Sequence, residues 1–321
     1  MKKLLMSCTT IAGTALMLLL SASANAQATR TWVSGVGDDA NPCSRTAPCK
    51  TFAGAISKTF INGEINCLDP GGFGTVNITK SITIDCHEVF ASILASGTTG
   101  VIINITPNAN DPLQTVRLRN LNINGAGAAG AIGMQTGING IRIMQAKMVY
   151  IDDLMVSDFT QHGITDQRTA GGRLHILNTT LRNNLGAGIL VSPTSGSTRI
   201  DVDMDRVTAV GNNEGMIFNN GARVQINNST SANNTDQGVA STSSIGSTTV
   251  NINRSMVSNN GGAAMATNGT SMLRFSDTDI AYNGAAFSGA TLTFGSSRIT
   301  GNLVIGTVPT HMGGSFDQGQ I

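Results

Sequence analysis

A triplet of the form apolar-x-apolar recurs along the chain. An apolar or small residue follows seven positions after its start, and Asn follows ten positions after its start. Degenerate copies start at Val116 and Val149. Successive copies start 19 to 33 residues apart, a variation that fits one structural coil with loops of different length. The full copies start at Leu174, Val202, Val224, Val250, Leu273 and Leu292.

Each copy holds two or three short runs with strand character, separated by turns rich in Asn and Gly. No copy has helical periodicity, which excludes leucine-rich and helical repeats, and a four-stranded propeller blade would need about 40 residues. A coil of about 22–25 residues with three strands instead indicates a parallel β-helix, in which each coil stacks about 4.8 Å above the last. The repeat therefore predicts an all-β solenoid.

The composition agrees with stacked coils. The 321 residues include 38 Gly and 30 Asn, and only 12% are charged. Asn suits one corner because it tolerates the left-handed conformation of a tight turn, and stacked Asn side chains can bond to one another along the axis. The 20 Lys and Arg residues nearly balance the 19 Asp and Glu residues, for a net charge of +1. A nucleic-acid partner is therefore not expected.

The N-terminus has the features of a secretory signal peptide. Two lysines precede an apolar stretch from Ile11 to Leu20, and an Ala24-x-Ala26 cleavage site follows. We expect residues 1–26 to be removed and the protein to be exported to the periplasm or the cell exterior. A membrane anchor, the alternative, would need about 18 or more apolar residues. No later segment could cross a bilayer as a helix, so membrane insertion is not expected.

Four cysteines follow the signal peptide, an even number that suits disulfides in an oxidising compartment. Three pairings are possible. We favour Cys43–Cys49, which closes a loop containing Pro, and Cys67–Cys86, because an Ile-x-Cys triplet recurs after 19 residues, about one coil. Stacked positions lie within the Cα separation that a disulfide needs. A zinc site is the competing interpretation, but the spacings contain no C-x2-C pattern.

Two N-terminal segments carry a family resemblance. Trp32–Asp38 reads W-V-S-G-V-G-D, and Asn41–Ile56 ends in P-C-K-T-F-A-G-A-I. Both resemble the opening of exported proteins in the pectin-lyase-like superfamily. The resemblance implies a single-stranded right-handed parallel β-helix whose first coil is capped by a short α-helix at Thr51–Lys58. It does not imply one activity, because the superfamily includes lyases, hydrolases, epimerases and non-enzymatic proteins.

We accordingly divide the chain into four parts. They are a signal peptide (1–26), an N-terminal strand with disulfide loop and capping helix (27–60), the right-handed parallel β-helix (61–305) and a C-terminal tail (306–321).

Strand alternation places two columns of residues on one outer face. Earlier coils present charged and aromatic groups there, and later coils present mostly Asn, Ser and Thr. We predict that a polysaccharide or cell-surface glycan binds along this face through Arg117, Tyr150, His175, Asp203 and Asp205; an ordinary solvated face is the alternative. The columns are Arg117, Tyr150, His175, Asp203, Gln225, Asn251 and Arg274, and Arg119, Asp152, Leu177, Asp205, Asn227, Asn253 and Ser276.

Asp201-Val-Asp203-Met-Asp205 is the sharpest local motif, since alternation puts all three carboxylates outside. Carboxylate oxygens suit Ca²⁺, and the resemblance implies it too, because lyases of the superfamily commonly use Ca²⁺ to neutralise a uronate. Asp203 and Asp205 are therefore candidate calcium ligands, although no cofactor is certain. Alternate carboxylates about 7 Å apart cannot all bind one ion. The competing interpretation is that they are exposed charges that prevent lateral aggregation of the protein. The candidate catalytic residues are His175, Asp152 and Asp203.

Asp152-Asp153 and Gln161-His162-Gly163 resemble the Asp-Asp and Gly-His-Gly signatures of polygalacturonases. Here they lie nine residues apart, whereas the signatures fall about a coil apart. Adjacent aspartates on a strand also point in opposite directions and cannot flank one glycosidic bond. Glycoside hydrolysis is therefore disfavoured.

Two functional hypotheses result. The first is an exported protein that binds a polysaccharide along its N-terminal coils and cleaves it as a lyase does. The second is a non-catalytic surface or periplasmic scaffold or adhesin. The oligomeric state stays open.

Overall fold

The computed structural model describes residues 27–87, 89–127, 134–195 and 198–312, so the predicted signal peptide lies outside the described residues. Within these ranges the chain winds into stacked coils, and a full coil contributes one strand to each of three parallel sheets. A single helix accompanies them in these ranges, and no helix there is long and apolar enough to cross a membrane. The predicted right-handed parallel β-helix is confirmed.

The strands are numbered in chain order. The first sheet contains β1 (Ala28–Val33), β2 (Thr59–Cys67), β5 (Ile82–Asp85), β8 (Thr115–Arg119), β11 (Met148–Asp152), β14 (Gly172–Leu177), β17 (Ile200–Asp205), β20 (Ala222–Asn227), β23 (Thr249–Asn253), β26 (Met272–Ser276), β29 (Thr291–Gly295) and β32 (Thr310–His311). The second sheet contains β3 (Gly71–Gly72), β6 (Ala91–Leu94), β9 (Asn122–Asn124), β12 (Met155–Ser157), β15 (Thr180–Arg182), β18 (Thr208–Val210), β21 (Thr230–Ala232), β24 (Met256–Ser258), β27 (Asp279–Ala281) and β30 (Arg298–Thr300). The third sheet contains β4 (Val76–Ile78), β7 (Val101–Asn104), β10 (Ile141–Gln145), β13 (Ile164–Asp166), β16 (Ala187–Val191), β19 (Glu214–Asn219), β22 (Val239–Ser243), β25 (Ala263–Gly269), β28 (Ala285–Ser288) and β31 (Val304–Gly306).

The core runs along the axis and is filled by the apolar residues of the repeat. In the first sheet, Val149 pairs with Leu174 and Leu174 with Val202, so equivalent residues stack coil upon coil. These side chains are almost completely buried. Because strand side chains alternate, burying them fixes which residues face outward. The register of the core therefore determines which residues lie on the outer face.

The corners contain residues in the left-handed backbone conformation, but these are not the repeated Asn residues for which the sequence predicted it. Positive φ angles occur at Asn183, Asn233 and Asn259, each one residue before a repeated Asn. The repeated residues themselves, such as Asn184 and Asn234, do not have positive φ. The repeated Asn is therefore kept for the hydrogen bonds of its side chain and not for its backbone conformation.

These repeated residues form a buried ladder. Asn184 Nδ2 donates to Asn212 Oδ1 at 2.8 Å, and the same bond recurs from coil to coil down to Asn302. Each side-chain oxygen also accepts the backbone N–H of the Asn before it, as in Asn184 N–H to Asn212 Oδ1 at 3.1 Å. The predicted stacking of Asn along the axis is confirmed.

The first coil is covered by helix α1 (Phe52–Lys58). Thr51 is its N-cap, and its hydroxyl accepts the Gly54 N–H at 2.9 Å while donating to Asp39 at 2.7 Å. Partial burial raises the pKa of Asp39, but the hydrogen bonds from Thr51 and Lys50 outweigh it and lower the pKa overall. The capping helix expected from the resemblance is confirmed.

Both favoured disulfides are present. Cys43 and Cys49 are bonded with a Cα separation of 4.6 Å, and Cys67 and Cys86 with 4.8 Å. Ile65 stacks on Ile84 in the first sheet, as the repeated Ile-x-Cys triplet predicted. The second disulfide therefore joins two successive coils.

The last coil departs from the predicted register. Leu292 pairs with the outward Arg274, and Thr291 pairs with the core residue Leu273. The repeat predicts that Leu292 and Phe294 face the core, and this prediction is wrong by one residue. Less apolar surface can be buried at the end of the stack, so the hydrophobic pattern specifies the register less strongly there. The final strand, β32, lies within the range assigned to the C-terminal tail.

Candidate functional site

The first sheet brings the predicted outward residues into register. Arg117 pairs with Tyr150, Tyr150 with His175, and His175 with Asp203. We call these four residues the axial column. The column continues through Gln225, Asn251 and Arg274, and beside it Arg119, Asp152, Leu177, Asp205, Asn227, Asn253 and Ser276 form the second predicted column.

Neighbouring members of the axial column touch. The Arg117 guanidinium carbon lies 3.9 Å from the centre of the Tyr150 ring, a cation–π contact. The rings of Tyr150 and His175 are 5.6 Å apart and tilted by 48°. His175 Nδ1 lies 3.2 Å from Asp203 Oδ2, and both side chains are 54% exposed. Four successive coils thus present one connected row of cation, aromatic ring, imidazole and carboxylate.

Asp152 is held differently. Arg119 lies between two carboxylates, with Nη1 3.0 Å from Asp85 and Nε 3.6 Å from Asp152 Oδ2. The other oxygen, Asp152 Oδ1, is buried and has no hydrogen-bond partner among the described residues. Asp152 therefore has one oxygen beside a cation and one buried oxygen without a hydrogen-bond partner among the described residues.

The two candidate calcium ligands do not converge. Asp203 contacts His175, whereas Asp205 Oδ2 lies 2.5 Å from Arg206 Nη1 and its Oδ1 accepts from Asn228 Nδ2 at 2.6 Å. Asp201 pairs with Arg199 at 3.1 Å. In the described ranges, no group of three or more His, Cys, Asp and Glu side chains could hold a metal ion. These carboxylates do not fit a calcium site built from protein side chains alone.

The two halves of the polygalacturonase-like motif lie apart. Asp152 ends β11 in the first sheet, and Asp153 turns the next corner with a φ of 57°. His162 instead precedes β13 of the third sheet, where its Nδ1 accepts the backbone N–H of Ala187 at 2.9 Å. Burial lowers the pKa of His162. His162 therefore serves the corner of a coil and does not face the axial column.

Two grooves follow the axial column. The larger, of about 600 Å³, contains Tyr150, His175 and Asp203 together with Arg173, Arg199 and Arg223. The other, of about 370 Å³, contains the same first three residues and also Arg117, Arg119, Asp152 and Asp205. All six predicted binding and catalytic residues therefore lie in adjoining grooves on one face.

Arg173 and Arg223 were not selected from the sequence. Both pair in register with Asp201, so they lie on either side of it, about 10 Å apart for two coil steps. Asp201 itself is engaged by Arg199, which leaves these two guanidinium groups for a ligand. The same period-two alternation, read two residues before the axial column, would have identified them.

A buried ion pair helps to hold the strands of this face in place. The sequence did not predict it. Asp166 and Arg168 are fully buried and 2.6 Å apart. Arg168 Nη1 donates to the carbonyl of Ala146 at 3.0 Å, just before β11, and to that of Arg173 in β14 at 3.3 Å. Arg168 is thus a positioning residue for the strands that carry Tyr150 and His175.

Comparison with known proteins supports the fold. No family model matches the sequence, and a search of curated proteins finds no match. The structure is similar to pectate lyase Pel9A, with a TM-score of 0.59 at 12% identity, covering 87% of this chain and 79% of that one. A rhamnogalacturonan lyase aligns with a TM-score of 0.47 at 13% identity, over 82% of this chain and 72% of that one. The likeness to pectate lyase confirms the pectin-lyase-like β-helix as the fold of this chain.

Proposed function

We propose that this chain is an exported protein that binds a polysaccharide along the outer face of its first sheet, centred on the axial column. The observation that carries the proposal is the connected row from Arg117 to Asp203, flanked in the larger groove by Arg173 and Arg223, which pair with no carboxylate among the described residues. Rings and guanidinium groups that line one groove can stack on sugars and bind their hydroxyl or carboxylate groups. The two disulfides, and the pectate lyase to which the fold is similar, support export and a glycan ligand.

The preferred glycan is acidic. Arg173 and Arg223 lie in the larger groove on either side of a carboxylate that is already neutralised by Arg199. A polymer with repeating carboxylates can bind both guanidinium groups without breaking the ion pair between Asp201 and Arg199. A neutral glycan would leave these cations unpaired.

Cleavage as a lyase would require a base near the substrate. His175 is exposed in both grooves, and its Nδ1 is paired with Asp203, which leaves Nε2 free to accept a proton. Elimination would transfer the C5 proton of a uronate to His175 and break the C4–O bond. The products would be an unsaturated sugar and a leaving hydroxyl, which takes up a proton. Asp152 would orient the substrate through Oδ2, the oxygen beside Arg119, because its Oδ1 is buried.

Calorimetric titration with polygalacturonate, alginate and dextran tests binding. We expect the acidic polymers to bind, dextran to bind weakly, and His175→Ala/Asp203→Ala to weaken binding at least tenfold. Asp279→Ala/Arg298→Ala is a matched control, because it removes another exposed ion pair, 2.6 Å long, from the second sheet. Equal affinity of both double variants for every polymer would overturn the proposal.

A non-catalytic scaffold or adhesin is the second candidate. It is favoured by the pairing of Asp201, Asp203 and Asp205 with neighbouring groups, which leaves few free carboxylates for acid–base chemistry. Ultraviolet absorbance of unsaturated products separates the two candidates. Binding without absorbance growth supports the scaffold, and growth that His175→Ala abolishes supports the lyase.

A further inference from the structure

A third groove opens on the same outer face, toward the C-terminal end of the solenoid. It has a volume of about 320 Å³ and contains Gln225, Asn251, Asn253, Arg274, Ser276 and Phe294. Gln225 and Asn251 also line the larger groove of the axial column. The two grooves are therefore neighbours along one face.

The register change in the last coil puts Phe294 in this groove. Thr293 pairs with the core residue Phe275, and Gly295 pairs with Ser276, so Phe294 is the extra residue of a bulge. Bulges redirect side chains and are common beside functional sites. With the register that the repeat predicted, this ring would have pointed into the core. The slip supplies an aromatic side chain to a face that otherwise carries amides and hydroxyls.

Polar atoms of this groove lack partners. Arg274 Nε and Asn251 Oδ1 are buried from solvent and make no hydrogen bond to any described residue. Their neighbours are held in place, since Ser276 donates to Asn253 Oδ1 at 3.1 Å and Gln225 to Asn227 Oδ1 at 3.0 Å. Buried polar groups in proteins are nearly always satisfied. These two atoms are shielded, so a ligand would bind the remaining polar atoms of the same side chains, which line the groove and make no hydrogen bond to a described residue.

We propose that Phe294, Arg274 and Asn251 form a second glycan-binding subsite, separate from the axial column. The ring would stack on one sugar while the guanidinium and amide bind its polar groups. Arg274 lies four coils beyond His175, or about 19 Å, so one extended chain can occupy both sites. The class of ligand in this inference rests on the proposed function, whereas the residues that bind it are independent of the axial column.

The test is ¹⁹F NMR of the protein carrying 4-fluorophenylalanine at position 294, titrated with penta-galacturonate and, separately, maltopentaose. We expect penta-galacturonate to shift the fluorine signal, because Arg274 can bind its carboxylate, and maltopentaose to shift it less. The shift should persist in His175→Ala/Asp203→Ala and weaken at least tenfold in Arg274→Ala. Arg298→Ala is the matched control, because it removes an arginine near the same end but from the second sheet. It should leave the titration unchanged.

The outcomes separate the two proposals. A constant fluorine signal with both probes, or a shift unaffected by Arg274→Ala, overturns the second subsite. If calorimetric binding is then still lost in His175→Ala/Asp203→Ala, the function proposed for the axial column stands alone. If the fluorine signal shifts while that double variant binds normally, the second subsite stands and the axial column does not.

Discussion

The coils from β8 to β17 and those from β20 to β29 share one backbone plan but differ in what holds them together. The earlier coils use ionic and aromatic contacts, including the Arg117–Tyr150 contact and the buried Asp166–Arg168 pair. The later coils are joined by the Asn ladder, which begins at Asn184 in the last two of the earlier coils and in which the same two hydrogen bonds recur. Charged side chains are concentrated around the axial column, whereas the later coils rely more on regular amide bonds. The difference indicates that the axial column is stabilised by ionic and aromatic contacts, and the rest of the stack by a repeated hydrogen-bond pattern.

Removing Arg168 should have the largest effect on stability, because it disrupts the buried ion pair of the earlier coils. Arg168→Met leaves the buried Asp166 carboxylate without its cation and with only the backbone N–H of residue 168 as a donor, so we expect the free energy of unfolding to fall by about 3–5 kcal/mol. Urea denaturation followed by circular dichroism measures the loss. In contrast, Arg298→Met disrupts an exposed ion pair in the later coils and should cost less than about 1 kcal/mol.

The paired replacement Asp166→Leu/Arg168→Met separates charge from packing. Apolar side chains of similar volume often replace a buried ion pair without loss of stability. We expect the double variant to recover most of the stability lost in Arg168→Met. If the double variant is less stable than the single one, the uncompensated charge is not the cause.

Much of this architecture could be predicted because it depends on local spacing. Alternation alone placed Tyr150, His175 and Asp203 on one face, and the recurring Ile-x-Cys triplet paired Cys67 with Cys86. The Asp166–Arg168 pair could not be predicted, since charged residues at the end of a strand and in the loop that follows it normally indicate a solvated surface. The use of these residues as an internal bridge depends on contacts with the preceding and following coil segments, which no spacing encodes.

Phe294 shows a second limit. Leu292-Thr-Phe294 satisfies the alternating pattern, yet Thr291 occupies the core position in its place. A one-residue slip reverses the face of every side chain, and only the packing of the whole coil decides between the two registers. The site residues were thus predictable where coils repeat well, and unpredictable where the stack ends.

The Asn ladder provides the next largest effect, in the later coils. Asn234→Ala removes the acceptor of the Asn212 backbone N–H at 3.0 Å and of the Asn212 side chain at 3.2 Å. Leaving buried donors unsatisfied should cost about 2–3 kcal/mol of unfolding free energy. Asn302→Ala, at the partly exposed end of the ladder, should cost about 1 kcal/mol because water can replace the bond. Equal losses in urea denaturation would show that the ladder does not act through burial.

His162, at a corner of the earlier coils, should have the smallest effect on stability, and that effect should depend on pH. Its imidazole accepts the Ala187 N–H, and burial lowers its pKa from the ordinary value of 6.5. The unfolded chain therefore binds a proton more readily than the folded one as the pH falls below about 6.5. Stability should decline from that pH down to the folded-state pKa, by at most about 1.4 kcal/mol per pH unit from this group.

His162→Asn isolates this contribution. The Asn side-chain oxygen can accept the same N–H but does not titrate, so the variant should lose less stability than the wild type between pH 7 and pH 5. Urea denaturation at both pH values gives the difference, and the other titrating groups cancel because they are common to both proteins. Parallel losses in the two proteins would mean that His162 is protonated equally well in the folded coil. The hydrogen bond to Ala187 would then not depend on a neutral imidazole, and this corner of the earlier coils would be as insensitive to pH as the amide ladder of the later ones.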